Sequence, residues 1–413
     1  RVLSARLRSE LRFELMGGPL LKHPLFRFID AINSFWSQRI LVDTIDTTIY
    51  QPQDDVFLPS KLATAAYFVK YGQMLYTQDP SSSQVLVSFT EWVPEAQWIS
   101  EAALWLQWTH VGLAKAETQC EVLAIDASSF YQAVITQNQV SSVVLSYSKQ
   151  WLKSFLSAAP PQFEWPNDLS VPQTEWSELV GRMDGYWRKE ISLEALESFK
   201  QSLGSWRSFS HSSGCNLAEE FHAGKCILVV RDNGDVERIV DVISFEIHRQ
   251  QDDHIFVQIG RWDFGRVVPS CLYPGGKREH TEAVEDAKDR LFTDKLNFLK
   301  DFLDISNAEH TIQKTSVEKH GLVNTYRKIV VSASLHAGVT LPMATTAQPF
   351  SSAIDTSYLG SPQISDTGEV PAWAVELPIY FAQTSQSGGT FYAWMPSSDL
   401  ESIQRASGTP GLQ

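Results

Sequence analysis

Cysteine is scarce in this chain. Cys120, Cys215, Cys226 and Cys271 are the four among 413 residues, too irregularly spaced for a disulfide framework and without a CxxC pair for zinc. A reducing compartment is the simplest setting. Long apolar runs are missing as well: no stretch approaches the roughly 18 residues needed to span a bilayer, and no secretory signal opens the chain. Cations are in deficit, with 34 Lys and Arg against 48 Asp and Glu, a net charge of −14. Binding nucleic acid by counterion release needs clustered cations, so nucleic acid is excluded as a general partner. The arginine-rich start, RVLSARLRSELR, is the local exception. No repeat recurs along the chain.

What is present is enough apolar surface for more than one core. At 413 residues with 43% hydrophobic content, the chain exceeds one compact domain, and at least two are expected. A sequence opening on Arg1 is expected to be a piece of a longer chain. Leu3, Leu7, Leu11 and Leu15 recur every four residues, which predicts an amphipathic helix that lays one face on a partner and ends at Gly17 and Gly18. From 47 to 125 the pattern shifts to short runs rich in Val, Ile, Tyr, Phe and Thr between turn residues, predicting a small antiparallel barrel or roll. Helix resumes from Ala127 to Ser157, with Phe130, Val134, Val144, Tyr147, Trp151 and Phe155 as its buried positions.

AAPPQFEWPNDLSVPQ then carries four prolines. Proline removes a donor and fixes φ, so this stretch reads as a linker or an irregular wrap. After a polar helical stretch from about 175 to 205, CILVVRDNGDVERIVDVISFEI predicts a hairpin closed by Asp-Asn-Gly. HIFVQIG follows as a strand, LYPGGK as a sharp turn, and EAVEDAKDRLFTDKLNFLKDFL as a helix with Ala283, Ala287, Leu291 and Phe298 near one face. TYRKIVVSASL, AWAVELPIYF and GTFYAWM complete the strands, and residues 337 to 370 read as a long loop.

Two constellations carry chemistry. The first is an ordered series: LSARLRSELRFEL, LLKHPLF, IYQPQDDVF, AAYFVKYGQMLY and SEAALWLQWTHVGLAKAETQCEVLAIDASSF. Over residues 3 to 157 it resembles the linker helices and cyclic-nucleotide-binding domain of channels related to the hyperpolarisation-activated and ether-a-go-go families. In that family a short cassette helix faces a cyclic phosphate, an arginine neutralises it and a glutamate takes the ribose hydroxyl. Carried onto this chain, the ligand-binding positions are Ser100, Glu101, His110 and Val111, and the ligand is a cyclic nucleotide. Glu101 keeps its type. His110 stands where the arginine is expected, Val111 where a threonine is, Ser100 where a glycine is, and Gln53 where the turn usually has glycine. An imidazole lacks the guanidinium fork and most of its charge at neutral pH, a loss of about 2–4 kcal/mol for a bound phosphate. Two other readings stand beside nucleotide binding. In one, Leu104, Trp105 and Trp108 are core, Glu101 caps the cassette helix and His110 is an ordinary half-buried imidazole. In the other, a different ligand or an intrinsic residue fills the pocket, as in ether-a-go-go channels.

The second constellation is LYPGGKREHTEAVEDAKDRLFTDKLNF. Gly276, five residues, Glu282, seven residues and Arg290 resemble the loop and helix with which Nudix hydrolases hold Mg²⁺ against a diphosphate, where carboxylates at helical spacing converge on a hard cation. The resemblance covers residues 222 to 335 and implies Glu279, Glu282 and Asp294 as metal ligands with Mg as cofactor. Leu291, Asp294 and Lys295 occupy positions expected to be glutamates. An ammonium among would-be metal ligands opposes Mg²⁺, which favours a Nudix-like domain without hydrolysis and without a catalytic residue to name. Beside it stand a plain tight turn at PGGK with EAVEDAKDR as a solvated helix face, and an active enzyme using Glu279, Glu282 and Asp294.

The sequence therefore reads as an α+β chain. Residues 1–157 form a linker helix and cyclic-nucleotide-binding-like antiparallel β-roll with flanking helices, 158–215 a Pro-rich and helical linker, and 216–413 an α/β Nudix-like domain with a C-terminal extension. The function expected is that of a cytoplasmic regulatory region of a cyclic-nucleotide-gated-like ion channel. An upstream membrane domain of the same chain would be its partner, a homotetramer its assembly and the cytoplasmic side of a membrane its location. The alternative is a soluble Nudix-type nucleoside diphosphate hydrolase with a nucleotide-sensing domain.

Overall fold

The computed structural model describes residues 4–203, 211–249, 251–263, 266–279, 282–305, 311–319, 322–339, 379–385 and 388–406. The chain divides into two compact units. The first comprises Arg1–Phe221, Ile227–Arg238 and His320–Val323, and the second His222–Cys226, Ile239–Lys319 and Asn324–Gln413. Among the described residues no helix is long and apolar enough to cross a membrane.

The first unit opens with three helices, α1 (Ala5–Leu20), α2 (Pro24–Ile32) and α3 (Ser34–Thr44). Ser4 caps α1 by accepting from the Leu7 amide. The helix does not stop at the expected glycines. Neither Gly17 nor Gly18 takes a positive φ, so neither provides the left-handed residue that closes a helix, and α1 runs on to Leu20 with Pro19 in its last turn. Leu7, Leu11 and Leu15 are about half exposed within this chain.

Eight short strands follow: β1 (Ile45–Tyr50), β2 (Asp55–Phe57), β3 (Ala65–Tyr71), β4 (Met74–Gln78), β5 (Phe89–Val93), β6 (Trp98–Ile99), then helix α4 (Ala102–Trp105), β7 (Gly112–Ala116) and β8 (Cys120–Asp126). They pair antiparallel as two four-stranded sheets, β1-β8-β3-β6 and β2-β7-β4-β5. Alternation explains why they close on each other. Met74, Tyr76 and Gln78 point inward along β4, and Gly112, Ala114 and Ala116 do so along β7. Val69, Val93, Ile99, Cys120 and Val122 join that core, each fully buried aliphatic side chain contributing about 1.5–3 kcal/mol. The roll is therefore as the sequence predicts, although SQVLVSFTEWV yields a strand only from Phe89.

Helices α5 (Ala127–Ile135) and α6 (Asn138–Ser157) come next; Phe130, Val134, Val144, Tyr147 and Trp151 are buried, and Phe155 half-buried. The Pro-rich stretch is no linker. Of the two readings it is the wrap: Val171 is buried, Leu169 packs against the roll core, and Gln173 accepts from Ser154 and Arg182 through its carbonyl. Helices α7 (Trp176–Arg182) and α8 (Gly185–Leu203) bury Leu179, Val180, Trp187, Ile191 and Leu196 in the same unit. Helix α9 (His211–His222) and strand β9 (Ile227–Val230) follow, and β9 forms the predicted hairpin with β10 (Val236–Arg249), turning at Gly234 with φ 89°.

The second unit continues with β11 (His254–Asp263), β12 (Arg266–Leu272), β13 (Gly275–Lys277), α10 (Val284–Lys295), a 3₁₀ turn (Asn297–Phe302), β14 (Leu303–Ile305), β15 (Thr311–Lys319), β16 (Leu322–Leu335), β17 (Ile379–Ser385), β18 (Gly388–Pro396) and α11 (Ser397–Ala406). The sheet runs β14-β16-β10-β11-β18-β17, with β12 on β11, β13 on β10 and β15 on β16. Residue parity sorts its two faces. Phe256, Tyr392 and Trp394 pack with Ala287, Leu291 and Phe292 of α10, whereas Ile255, Val257 and Met395 pack with Leu400 of α11. Of the four positions expected on the inner face of the helix, Ala287 and Leu291 are buried, Phe298 is half-buried and Ala283 is exposed. The Gly-Gly of LYPGGK, expected as a turn, is strand: Gly275 pairs with Ser244, and a Cβ there would meet the Ile243 carbonyl oxygen at 2.1 Å. The long loop expected at 337 to 370 lies outside the described residues beyond Val339.

Two non-glycine residues sit in left-handed backbone where the family resemblance has glycine, Gln53 at φ 76° and Ser100 at φ 56°. That conformation costs an L-residue about 1–2 kcal/mol, partly offset because glycine loses more entropy on folding. Gln53→Gly and Ser100→Gly are each expected to raise stability by about 0.5–1 kcal/mol in urea denaturation. Gly275→Ala is expected to lower it by about 1–3 kcal/mol through the clash with β10.

Candidate functional site

The cassette of the first unit is assembled from three places in the chain. Ser100 precedes α4, His110 and Val111 lead into β7, and the Pro-rich arm between α6 and α7 delivers Asp168. Asn167 shapes the arm locally: its side chain accepts from the amides of Leu169 and Ser170, and its own amide donates to the Ser170 carbonyl. This Asx turn aims the next side chain away from the arm. Asp168 is thereby driven into the roll, where its side chain is wholly excluded from solvent.

Five donors meet that carboxylate. Oδ1 accepts from Trp108 Nε1 at 2.7 Å and His110 Nδ1 at 2.7 Å; Oδ2 accepts from the Tyr76 hydroxyl at 2.9 Å and the amides of Val111 and Gly112 at 3.0 Å each. A carboxylate only accepts, so Nδ1 of His110 carries the proton. The Ser100 amide donates to the Asp168 backbone carbonyl at 2.6 Å. Burial pushes the Tyr76 hydroxyl well above its ordinary value, and the adjacent Asp168 adds to the shift, so Tyr76 stays a donor. His110 is clamped further by Phe57, stacked at 3.9 Å between centroids and 5° between planes. Gly112 admits the arrangement, because a Cβ there would meet the Tyr76 ring at 2.4 Å.

Three of the four expected ligand-binding positions, Ser100, His110 and Val111, thus converge on one group, and that group belongs to the chain itself. His110 is neither half-buried nor ordinary: it is 3% exposed and fixed on both sides. Glu101 goes elsewhere. It makes no side-chain cap on α4. Its Oε1 accepts from Trp105 Nε1 at 2.8 Å, from the Tyr147 hydroxyl of α6 at 3.2 Å and from His23 Nε2, at the start of α2, at 3.4 Å. Burial raises the Glu101 carboxyl, but the hydrogen bonds from His23, Trp105 and Tyr147 outweigh it and hold the group below the ordinary carboxylate value. One oxygen therefore ties the cassette to helices on either side of the roll.

Asp168 escaped the sequence reading. It stands 58 residues from His110 in a stretch marked only by proline. Asn-Asp signals a turn but not its destination.

In the second unit the three carboxylates expected at a metal centre do not form one. Among the described residues no group of three His, Cys, Asp or Glu is placed to hold a metal. Both Glu282 oxygens are engaged by Arg290, at 2.7 and 2.8 Å, while Glu279 and Asp294 face solvent. Arg290 foremost draws the Glu282 carboxyl down. Lys295, lowered chiefly by burial and further by Arg290 and Arg261, donates to the Gly275 carbonyl at 2.9 Å. Its ammonium lies against Gly276, 3.1 Å from where a Cβ would stand. Arg290 and Lys295 so fasten α10 to β13. Asp241, buried, accepts from Arg278 at 2.8 Å and Arg327 at 2.7 Å in the same unit.

Compared with models of known protein families the chain matches none, and no curated protein matches it. Solved structures give partial likenesses. The sensor domain of the transcriptional regulator DNR from Pseudomonas aeruginosa is 16% identical with a TM-score of 0.29, covering 37% of this chain and 97% of that one. The N-terminal domain of a transcriptional regulator from Streptomyces coelicolor A3(2) is 17% identical with a TM-score of 0.27, covering 32% and 90%. A cyclic nucleotide-binding-like protein from Brucella abortus bv. 1 str. 9-941 is 20% identical with a TM-score of 0.21, covering 26% and 95%.

Proposed function

We infer that the chain is a regulatory region whose cyclic-nucleotide-binding-like roll is liganded by its own Asp168. The carrying observation is the cage of five donors on one buried carboxylate. The pocket's donors are the Trp108, His110 and Tyr76 side chains and two amides, with His110 at the place of the arginine. A cyclic phosphate would have to evict Asp168 and then sit without a guanidinium, losing about 2–4 kcal/mol. The ribose-reading position is also occupied, since Glu101 binds His23, Trp105 and Tyr147.

In this reading the arm is the signal element. Displacement of α6 or α7 withdraws or seats Asp168, and Glu101 passes the change to the N-terminal helices through Tyr147 and His23. Following the resemblance of residues 3 to 157, we assign the region to the cytoplasmic side of a membrane, as part of a tetrameric channel with its membrane domain upstream. The second unit we assign as a Nudix-like fold that does not hydrolyse, supported by Lys295 where a metal-binding glutamate is expected.

Calorimetry of the full chain with cAMP or cGMP is expected to give no heat at micromolar concentrations; micromolar uptake with Asp168 in place overturns the reading. Asp168→Ala leaves five buried donors unmatched and is expected to cost about 2–4 kcal/mol in urea denaturation. The lowered Glu101 carboxyl contributes stability that is present above its ordinary value of 4.5 and lost as pH falls through its folded value. Glu101→Gln is therefore expected to flatten the acid side of the stability–pH curve, and an unchanged curve removes Glu101 from the coupling. The preceding coding sequence is expected to hold six hydrophobic spans with an arginine-rich fourth.

A further inference from the structure

The geometry points to a carboxylate receptor: vacated by its arm, the roll pocket would bind a small carboxylate ligand in preference to a phosphate or a cyclic nucleotide. This deepens the self-liganded reading and rests on it. The donors are arranged for a planar group with two oxygens. Trp108 and His110 converge on one, and Tyr76 with the Val111 and Gly112 amides converge on the other, at 2.7–3.0 Å throughout.

A tetrahedral phosphate brings further oxygens, and the enclosure offers them little. His110 is backed by Phe57 at 3.9 Å, and a Cβ on Gly112 would already meet the Tyr76 ring at 2.4 Å. Charge selects in the same direction. The cage supplies no guanidinium, which suits one negative charge spread over two atoms better than a phosphate. The Ser100 amide, now on the Asp168 carbonyl at 2.6 Å, offers a sixth donor at the pocket's rim. A ligand presenting a carboxylate and a carbonyl separated by two carbons, as Asp168 does, uses every group the arm uses.

Asp168→Gly in the full chain removes a side chain that acetate reproduces atom for atom. Acetate is expected to raise the melting temperature of this variant with a dissociation constant on the order of 1–10 mM, the affinity open to so small an anion. The wild type, its pocket filled, is expected not to respond. Chloride, inorganic phosphate and cAMP at matched ionic strength are expected to leave the variant unmoved. A response to phosphate or cAMP equal to that for acetate overturns the inference, as does no response to acetate. Should the variant not fold alone, refolding in acetate against chloride decides the same question: selective recovery supports the receptor, and equal yields overturn it. Uptake of cAMP by the variant but not by the wild type defeats this inference and leaves the self-liganded reading intact, whereas uptake by the wild type defeats both.

Discussion

A buried carboxylate survives only if enough donors replace the water it has lost, and the first unit is arranged around meeting that demand for Asp168. The donors come from β4, from the cassette, from the entrance to β7 and from two consecutive amides. Each fixes a different piece of backbone against the arm. The donors of the roll are met by the chain's own carboxylate, and the Pro-rich segment, instead of separating domains, lies within the first unit between α6 and α7. Proline suits that task, since an arm with few competing conformations loses less entropy when it docks.

The same demand for partners explains the fate of Glu101. In a nucleotide receptor such a residue is held ready for a sugar hydroxyl. Here Trp105, Tyr147 and His23 have taken it, and three aromatic rings pack around the junction, with Trp105 and Tyr147 at 5.0 Å between centroids. The two acids divide the work. Asp168 satisfies the interior of the roll, and Glu101 joins the roll's edge to the helices before and after it.

The second unit uses charge to hold backbone together. Gly275 lets β13 approach β10 more closely than any side chain would allow, and Arg290 and Lys295 then pin α10 to that strand by donating to the Lys277 and Gly275 carbonyls. Glu282 is the counter-charge that orients Arg290. Groups spaced like a metal site are thereby consumed as fasteners.

The sequence by itself determined most of the elements and several local requirements. Runs rich in Val, Ile, Tyr, Phe and Thr between turn residues marked the roll strands, because those residue types suit a pleated, half-buried surface, whereas the two faces of the second sheet emerged from the packing. The positions of Gln53 and Ser100 announced backbone that prefers glycine, and both lie at positive φ. His110 stands where the family resemblance expects an arginine, and an intrinsic residue is among the occupants that substitution allows. Its identity was decided only by tertiary structure. Nothing local distinguishes Asp168 from any surface aspartate in a turn, because its burial depends on donors that lie 56 to 92 residues away and meet only once the roll has closed. The same holds for LYPGGK, where glycine pairs suit a tight turn and a close strand contact equally well, and only the presence of β10 at that distance chose between them.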